Sequence, residues 1–151
     1  MNILVTGGSG YKGSVLIPEL LKDGHQVVSV DTNWFGDNLV SHPNLKKIKT
    51  DIREIESIPL DGIDSIIHLA NIANDPAVEL SPNLSWEVNV LSSYQIADKA
   101  LRNGVKQIIY ASSGSVYGIK EEERVTEDLP LVPVSVYNKT KMVAERVFLS
   151  F

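Results

Sequence analysis

The chain contains no cysteine, which excludes disulfide bonds, thiolate metal ligands and a thiol nucleophile, and fits a reducing compartment. Its three histidines, His25, His42 and His68, stand singly and without metal-ligand spacing. Basic charge is in deficit, with 14 Lys and Arg against 19 Asp and Glu and a net charge of -5. That argues against a nucleic-acid surface, which needs clustered cations. It does not exclude a small phosphate ligand, because helix N-termini and loop amides hold phosphate without bulk positive charge. No apolar run approaches the ~20 residues of a membrane span. The opening Met1–Gly8 also lacks the basic start and long apolar stretch of a secretory leader. The expectation is a cytoplasmic protein with no metal, nucleic-acid or membrane partner.

The 151 residues are 43% hydrophobic, enough for one domain that buries roughly 70% of its unfolded surface. Short apolar runs alternate with helical periodicity. Ile3–Val5, Gln26–Asp31, Leu45–Thr50, Asp64–Ala70 and Val105–Ala111 read as strands, the third as a less buried edge because of Lys46, Lys47 and Lys49. Ser14–Lys22 reads as a helix kinked at Pro18 and capped by Gly24. Pro82–Asn103 reads as one long helix ended by Gly104, and a last helix starts near Ser135. The segments 32–44 and 118–135 read as loops. Such alternation predicts an α/β domain with a mostly parallel sheet, whose ligand sits beyond the carboxyl ends of the strands.

The chemistry-bearing residues fall at those ends. Gly7, Gly10 and Gly13 form a G-x-x-G-x-x-G loop between the first strand and first helix. Gly7 suits a tight turn, Gly10 a close approach of backbone to a pyrophosphate, and Gly13 close packing of helix on strand. Ser9, Tyr11 and Lys12 belong to the same loop. Asp31 closes the second strand, where a carboxylate hydrogen-bonds the ribose 2′-hydroxyl of NAD and repels the 2′-phosphate of NADP. Lys12 pulls the other way, as a cation that suits the extra phosphate. Asp51 and Ile52 are placed to border an adenine. Leu69, Ala70 and Asn71 end the fourth strand and leave room for the cofactor.

Tyr137 and Lys141 lie four residues apart on the last helix, hence on one face. A neighbouring ammonium favours the phenolate and makes the phenol a usable base. Ser113, after the fifth strand, is placed to hydrogen-bond the same substrate oxygen. Each of these features also has a structural reading, as a glycine turn, a strand-end aspartate or a chance helical spacing. His68 reads as a satisfied polar group at the sheet. Tyr117 reads equally as a site residue or a packed aromatic.

Six stretches carry a resemblance to a known family: Thr6-Gly7-Gly8-Ser9-Gly10-Tyr11-Lys12-Gly13, Asp51-Ile52-Arg53, His68-Leu69-Ala70, Asn89, Ser112 to Gly118, and Tyr137 to Lys141. In them the chain resembles the extended short-chain dehydrogenase/reductase family, in its NAD-dependent epimerase/dehydratase branch. The resemblance implies a Rossmann-type doubly wound parallel sheet in three αβα layers, spanning residues 1–151. It implies NAD as cofactor, a nucleotide-sugar substrate, and Ser113, Tyr137 and Lys141 as catalytic residues. It also implies that Asn89 holds Lys141 or a water near the nicotinamide ribose. Dehydratases of that branch usually carry acids where this chain has Gly114 and Ser115, so the resemblance favours epimerisation or simple redox, with an epimerase as the leading expectation. An NAD(P)-dependent reductase or dehydratase of a sugar or small carbonyl is the second reading, and a non-catalytic dinucleotide module the third. The family implies further strands and a substrate lobe after the last helix, so the chain, stopping at Phe151, is expected to be a piece of a longer protein. A homodimer through the 83–103 and 136–150 helices is expected, although Val90, Ile96, Val143 and Phe148 read equally as core.

Overall fold

In the computed structural model, which describes residues 1–151, the five apolar runs form one parallel sheet. Its strands are β1 (Asn2–Thr6), β2 (Gln26–Asp31), β3 (Leu45–Lys49), β4 (Ser65–His68) and β5 (Gln107–Tyr110), in the order β3-β2-β1-β4-β5. The chain therefore steps one way from β1 to β3 and the other way from β4 to β5. Between β1 and β4, where the direction reverses, a crevice opens beyond the carboxyl ends. β1 and β4 run in register from Ile3 opposite Ser65 to Thr6 opposite His68.

The strand period of two sorts the core into two layers. Leu4, Val30 and Ile66 face one side and pack with Ile96 and Ala100. Ile3, Val5 and Val27 face the other side and pack with Ile17 and Leu21 of helix α1 (Gly13–Lys22). α1 runs unbroken past Pro18 and ends where Gly24, at φ 81, donates to Leu21 O while His25 N reaches Leu20 O. These two bonds close the helix in the manner expected of a C-terminal glycine.

The long helix expected over Pro82–Asn103 is interrupted. Helix α2 (Asp75–Leu80) precedes it, capped by Asn74, whose Oδ1 accepts from Ala77 N at 3.1 Å. Then α3 (Pro82–Trp86) passes through a widened π turn at Glu87–Leu91 into α4 (Ser92–Arg102). Ser92 Oγ donates to Glu87 O at 3.1 Å, a bond that spans the extra residue of the wide turn. The last helix, α5 (Val136–Phe148), is capped by Ser135, whose Oγ accepts from Asn138 N at 3.1 Å. Ile96 is fully buried, and Phe148 packs against the same cluster. Those two belong to the core; the side chains turned outward on this surface are Leu91, Tyr94 and Leu101.

His68 lies at the centre of the molecule, 1% exposed. Its Nδ1 is 2.8 Å from Thr6 Oγ1 and its Nε2 is 3.3 Å from Ser93 Oγ, and its ring packs beside Tyr110 and Phe148. Burial, helped by the nearby Lys141 charge, holds its pKa down to about 3 from 6.5. Between those values the unfolded chain binds the proton that the folded chain refuses. The contribution of neutral His68 to stability is thus complete above 6.5 and lost as pH falls. Urea unfolding of wild type is expected to show a falling midpoint from pH 7 to pH 5. His68→Gln, less stable at pH 7, should show a flatter dependence over that interval; equal slopes would refute the assignment.

Candidate active site

The site begins where β1 ends. Gly7 follows Thr6 at φ 71, and a Cβ there would lie 2.7 Å from the amide nitrogen of Ala70. The loop and the end of β4 are in backbone contact, so the crevice is lined by main chain with no side chain between. A Cβ on Gly13 would meet the Gly8 carbonyl oxygen at 2.3 Å. The close packing expected of Gly13 against the strand is therefore packing against its own loop.

Asp31 ties this loop to the end of β2. Its Oδ2 accepts from Ser9 N at 3.0 Å and its Oδ1 from Asn33 N at 2.8 Å, while Asn38 Nδ2 donates to Ser9 O at 3.0 Å. Each carboxylate oxygen keeps a lone pair for a further donor.

A cavity of about 520 Å³ opens over the strand ends. Asp31, Trp34, Phe35, Asn38, Asp51 and Ile52 wall it on the β2–β3 side. Gly7, Ser9, Gly10, Tyr11, Lys12, Leu69, Ala70 and Asn71 line it at the centre, and Ala111, Ser112, Tyr137 and Lys141 on the β5 side. Asp51 receives Arg53 at 2.9 Å, and Arg53 reaches on to Glu87 at 3.0 Å. The guanidinium holds the Asp51 carboxyl below its ordinary range.

Lys141 is 3% exposed. Its Nζ donates to Ala111 O at 2.6 Å and lies 4.3 Å from the centre of the Tyr110 ring. A carbonyl and an aromatic face are the contacts an ammonium needs when it leaves water. Burial first, and the Lys12 charge after it, bring its pKa down to about 8 against the opposing pull of Glu145. Glu145 stands one turn on along α5 and takes the Ser112 hydroxyl at 2.5 Å.

Two expected site residues lie elsewhere. Ser113 caps the short turn Gly114–Tyr117 and bonds Ser115 Oγ at 2.7 Å, one residue beyond the part of the wall formed by Ala111 and Ser112. Asn89 is 2% exposed and makes no hydrogen bond to Lys141. Its Oδ1 accepts from Ile72 N at 2.7 Å, and its Nδ2 donates to Ile72 O at 3.1 Å and Thr140 Oγ1 at 3.0 Å. The wide turn points this amide at α5 and the post-β4 segment rather than at the lysine.

Trp34, Phe35 and Asn38 fall in the segment 32–44, whose sequence marks only a loop, although an aromatic pair just past a strand end is itself a signal. Glu145 sits at helical spacing from Lys141 and was legible on that ground. Nothing local pointed to Tyr110 under the lysine.

The model of the NAD dependent epimerase/dehydratase family matches residues 3–151. A UDP-glucose 4-epimerase from Neisseria meningitidis serogroup A is 36% identical over 159 residues, covering 97% of this chain and 47% of that protein. A solved UDP-glucose 4-epimerase from Thermus thermophilus, in complex with NAD, superposes with a TM-score of 0.85 at 30% identity, over 99% of this chain and 50% of that one. A dTDP-glucose 4,6-dehydratase from Streptomyces venezuelae, with NAD bound, gives 0.90 at 28% identity, over 97% and 50%. The chain spans about half the length of the curated relatives it matches.

Glu145→Gln keeps an oxygen for Ser112 but removes the one neighbouring charge that favours the Lys141 ammonium. The Lys141 pKa is expected to drop below about 8 in a carbon-13 NMR titration of its ε-methylene. An unchanged or higher value would contradict this account of the site.

Proposed function

The chain belongs to the NAD dependent epimerase/dehydratase family, and on that premise we propose that it binds NAD and serves an enzyme that epimerises a nucleotide sugar. One observation carries the reading: Tyr137 and Lys141 stand in the wall of the same cavity as the glycine loop and Asp31. The walls suit the cofactor. Bare backbone at Gly7 and Ala70 admits a pyrophosphate, and Asn71 Oδ1 is a buried acceptor without a partner beside it. Asp31 takes a ribose hydroxyl and disfavours a 2′-phosphate, Lys12 meets the pyrophosphate, and Asp51 and Ile52 border the adenine.

When bound, NAD supplies a reversible acceptor for the hydride that leaves the sugar carbon. Tyr137 takes the hydroxyl proton from the same sugar position and later returns it. Lys141, with a pKa of about 8, is roughly 90% ammonium at pH 7 and favours the phenolate. Ser113 holds the reacting oxygen once its hydroxyl turns from Ser115. Epimerisation would follow if the keto sugar turned over in the site and presented its other face before the hydride came back. Gly114 and Ser115 offer no carboxylate for removing water, which favours epimerisation over dehydration.

A homodimer accompanies this reading. Leu91, Tyr94 and Leu101 are 52%, 50% and 63% exposed on one surface, an apolar patch that suits a second copy. Light scattering is expected to give twice the monomer mass, and a monomer at every concentration would reject the pairing. No helix is long and apolar enough to cross a membrane. A cytoplasmic setting goes with substrates and cofactors kept in that compartment.

Tyr137→Phe decides the catalytic role. In the intact protein, assayed with a UDP-hexose, turnover is expected to fall at least about a hundredfold while the NAD dissociation constant stays within about twofold. Full turnover in this variant would remove the acid/base assignment.

A further inference from the structure

Thr6 and Thr140 are fully buried hydroxyl residues, one at the end of β1 and one on α5, and neither lines the cavity. Between them run two hydrogen-bonded sets that meet at Asn89, one ending on its backbone carbonyl and the other starting from its side-chain amide. Thr6 Oγ1 accepts from the amides of Leu69 and Ala70, both at 3.2 Å, so its two lone pairs are taken. Its proton then has one destination, His68 Nδ1 at 2.8 Å. That fixes His68 with its proton on Nε2, donated to Ser93 Oγ at 3.3 Å. Ser93 in turn donates to Asn89 O at 2.7 Å. The Asn89 side chain donates to Thr140 Oγ1 at 3.0 Å, and Thr140 donates to the carbonyl of Tyr137 at 2.8 Å. The Leu69 amide is shared with Thr6 O at 3.1 Å, and the side-chain hydroxyls and amide point from Thr6 to Ser93 and from Asn89 to Thr140.

Its two ends touch the two halves of the site. Thr6 precedes Gly7 and holds Ala70, the residue against which the glycine loop closes. Thr140 stands beside Lys141 and holds the first turn of α5 through Tyr137. The segment between, from Ile72 to the wide turn at Asn89, is clamped by the same amide. A fully satisfied polar network in a dry interior has one low-energy arrangement, because each lost partner strands a buried donor or acceptor.

We propose that Thr6, His68, Ser93, Asn89 and Thr140 are positioning residues, forming a buried relay that locks the catalytic helix to the floor of the dinucleotide loop. The site is then set as one body: a change at either end is felt at the other, across side chains no ligand touches. This rests on the dinucleotide reading of the cavity, and the test separates the two.

Thr140→Val and Thr6→Val each remove a hydroxyl at nearly constant volume. Each is expected to raise the NAD dissociation constant about tenfold by stranding a buried group. The double variant should also lie near tenfold. Distant, independent sites multiply their effects, so about a hundredfold in the double variant would overturn the relay, as would an unchanged affinity in Thr140→Val. Thr140→Ser and Thr6→Ser keep the hydroxyl and are expected to bind as wild type does; loss in these variants would also overturn it. Wild-type affinity reports on the dinucleotide reading, whereas the relay has a readout that needs no ligand. In Thr140→Val the amide of Ala70, bonded to Thr6 at the far end, should exchange with solvent about tenfold faster. Unaltered exchange there would sink the relay whatever the affinity for NAD.

Discussion

The site depends on one backbone contact, the approach of Gly7 to Ala70 where the sheet reverses its order. A Cβ on Gly7 would sit within 2.9 Å of three main-chain atoms of Leu69 and Ala70, so the contact exists only because that residue has no side chain. It sets the glycine loop over the end of β4, and Thr6 keeps it closed by accepting the Ala70 amide. Move either segment by an ångström and the loop no longer faces the helix that carries Tyr137 and Lys141.

Charge in the site follows from burial rather than from the overall balance of the chain. A net charge of -5 would suggest a poor home for phosphates, yet Lys12 and Lys141 both line the cavity. Lys141 keeps its proton near neutrality because a carbonyl, an aromatic face and Glu145 offset the loss of water around it. Across the Tyr110 ring, His68 stays neutral in the same dry interior, with Thr6 and Ser93 fixing which nitrogen bears hydrogen. The buried cation rests on one carbonyl and an aromatic face, and the neutral ring on two hydroxyls.

Among the elements legible in the sequence, the five strands stand where the apolar runs put them: β1 is a residue longer at each end, β2 agrees, and β3, β4 and β5 are trimmed by a residue or two. The Gly24 cap and the solvated third strand followed from composition alone. The helix after β4 was harder. Its apolar spacing ran continuously through Val88 and Leu91, and the extra residue of the wide turn leaves little trace in a periodicity of 3.6. Asn74, with Pro76 two residues on, is a capping signal for α2, a helix the sequence reading does not include.

The sequence by itself determined what depends on near neighbours. The strand-helix alternation, the glycine loop, the acid closing β2 and the four-residue spacing of Tyr137 and Lys141 are all local, and local patterns report on local backbone. The tertiary structure decided what joins distant segments: Lys141 on Ala111, Ser112 on Glu145, Thr6 on His68, and Asn89 turned to Thr140 rather than to the lysine. Those pairs lie 30 to 62 residues apart. Their partners are chosen by how two sheet faces and the helices packed on them exclude water together, and no stretch of chain carries that information alone.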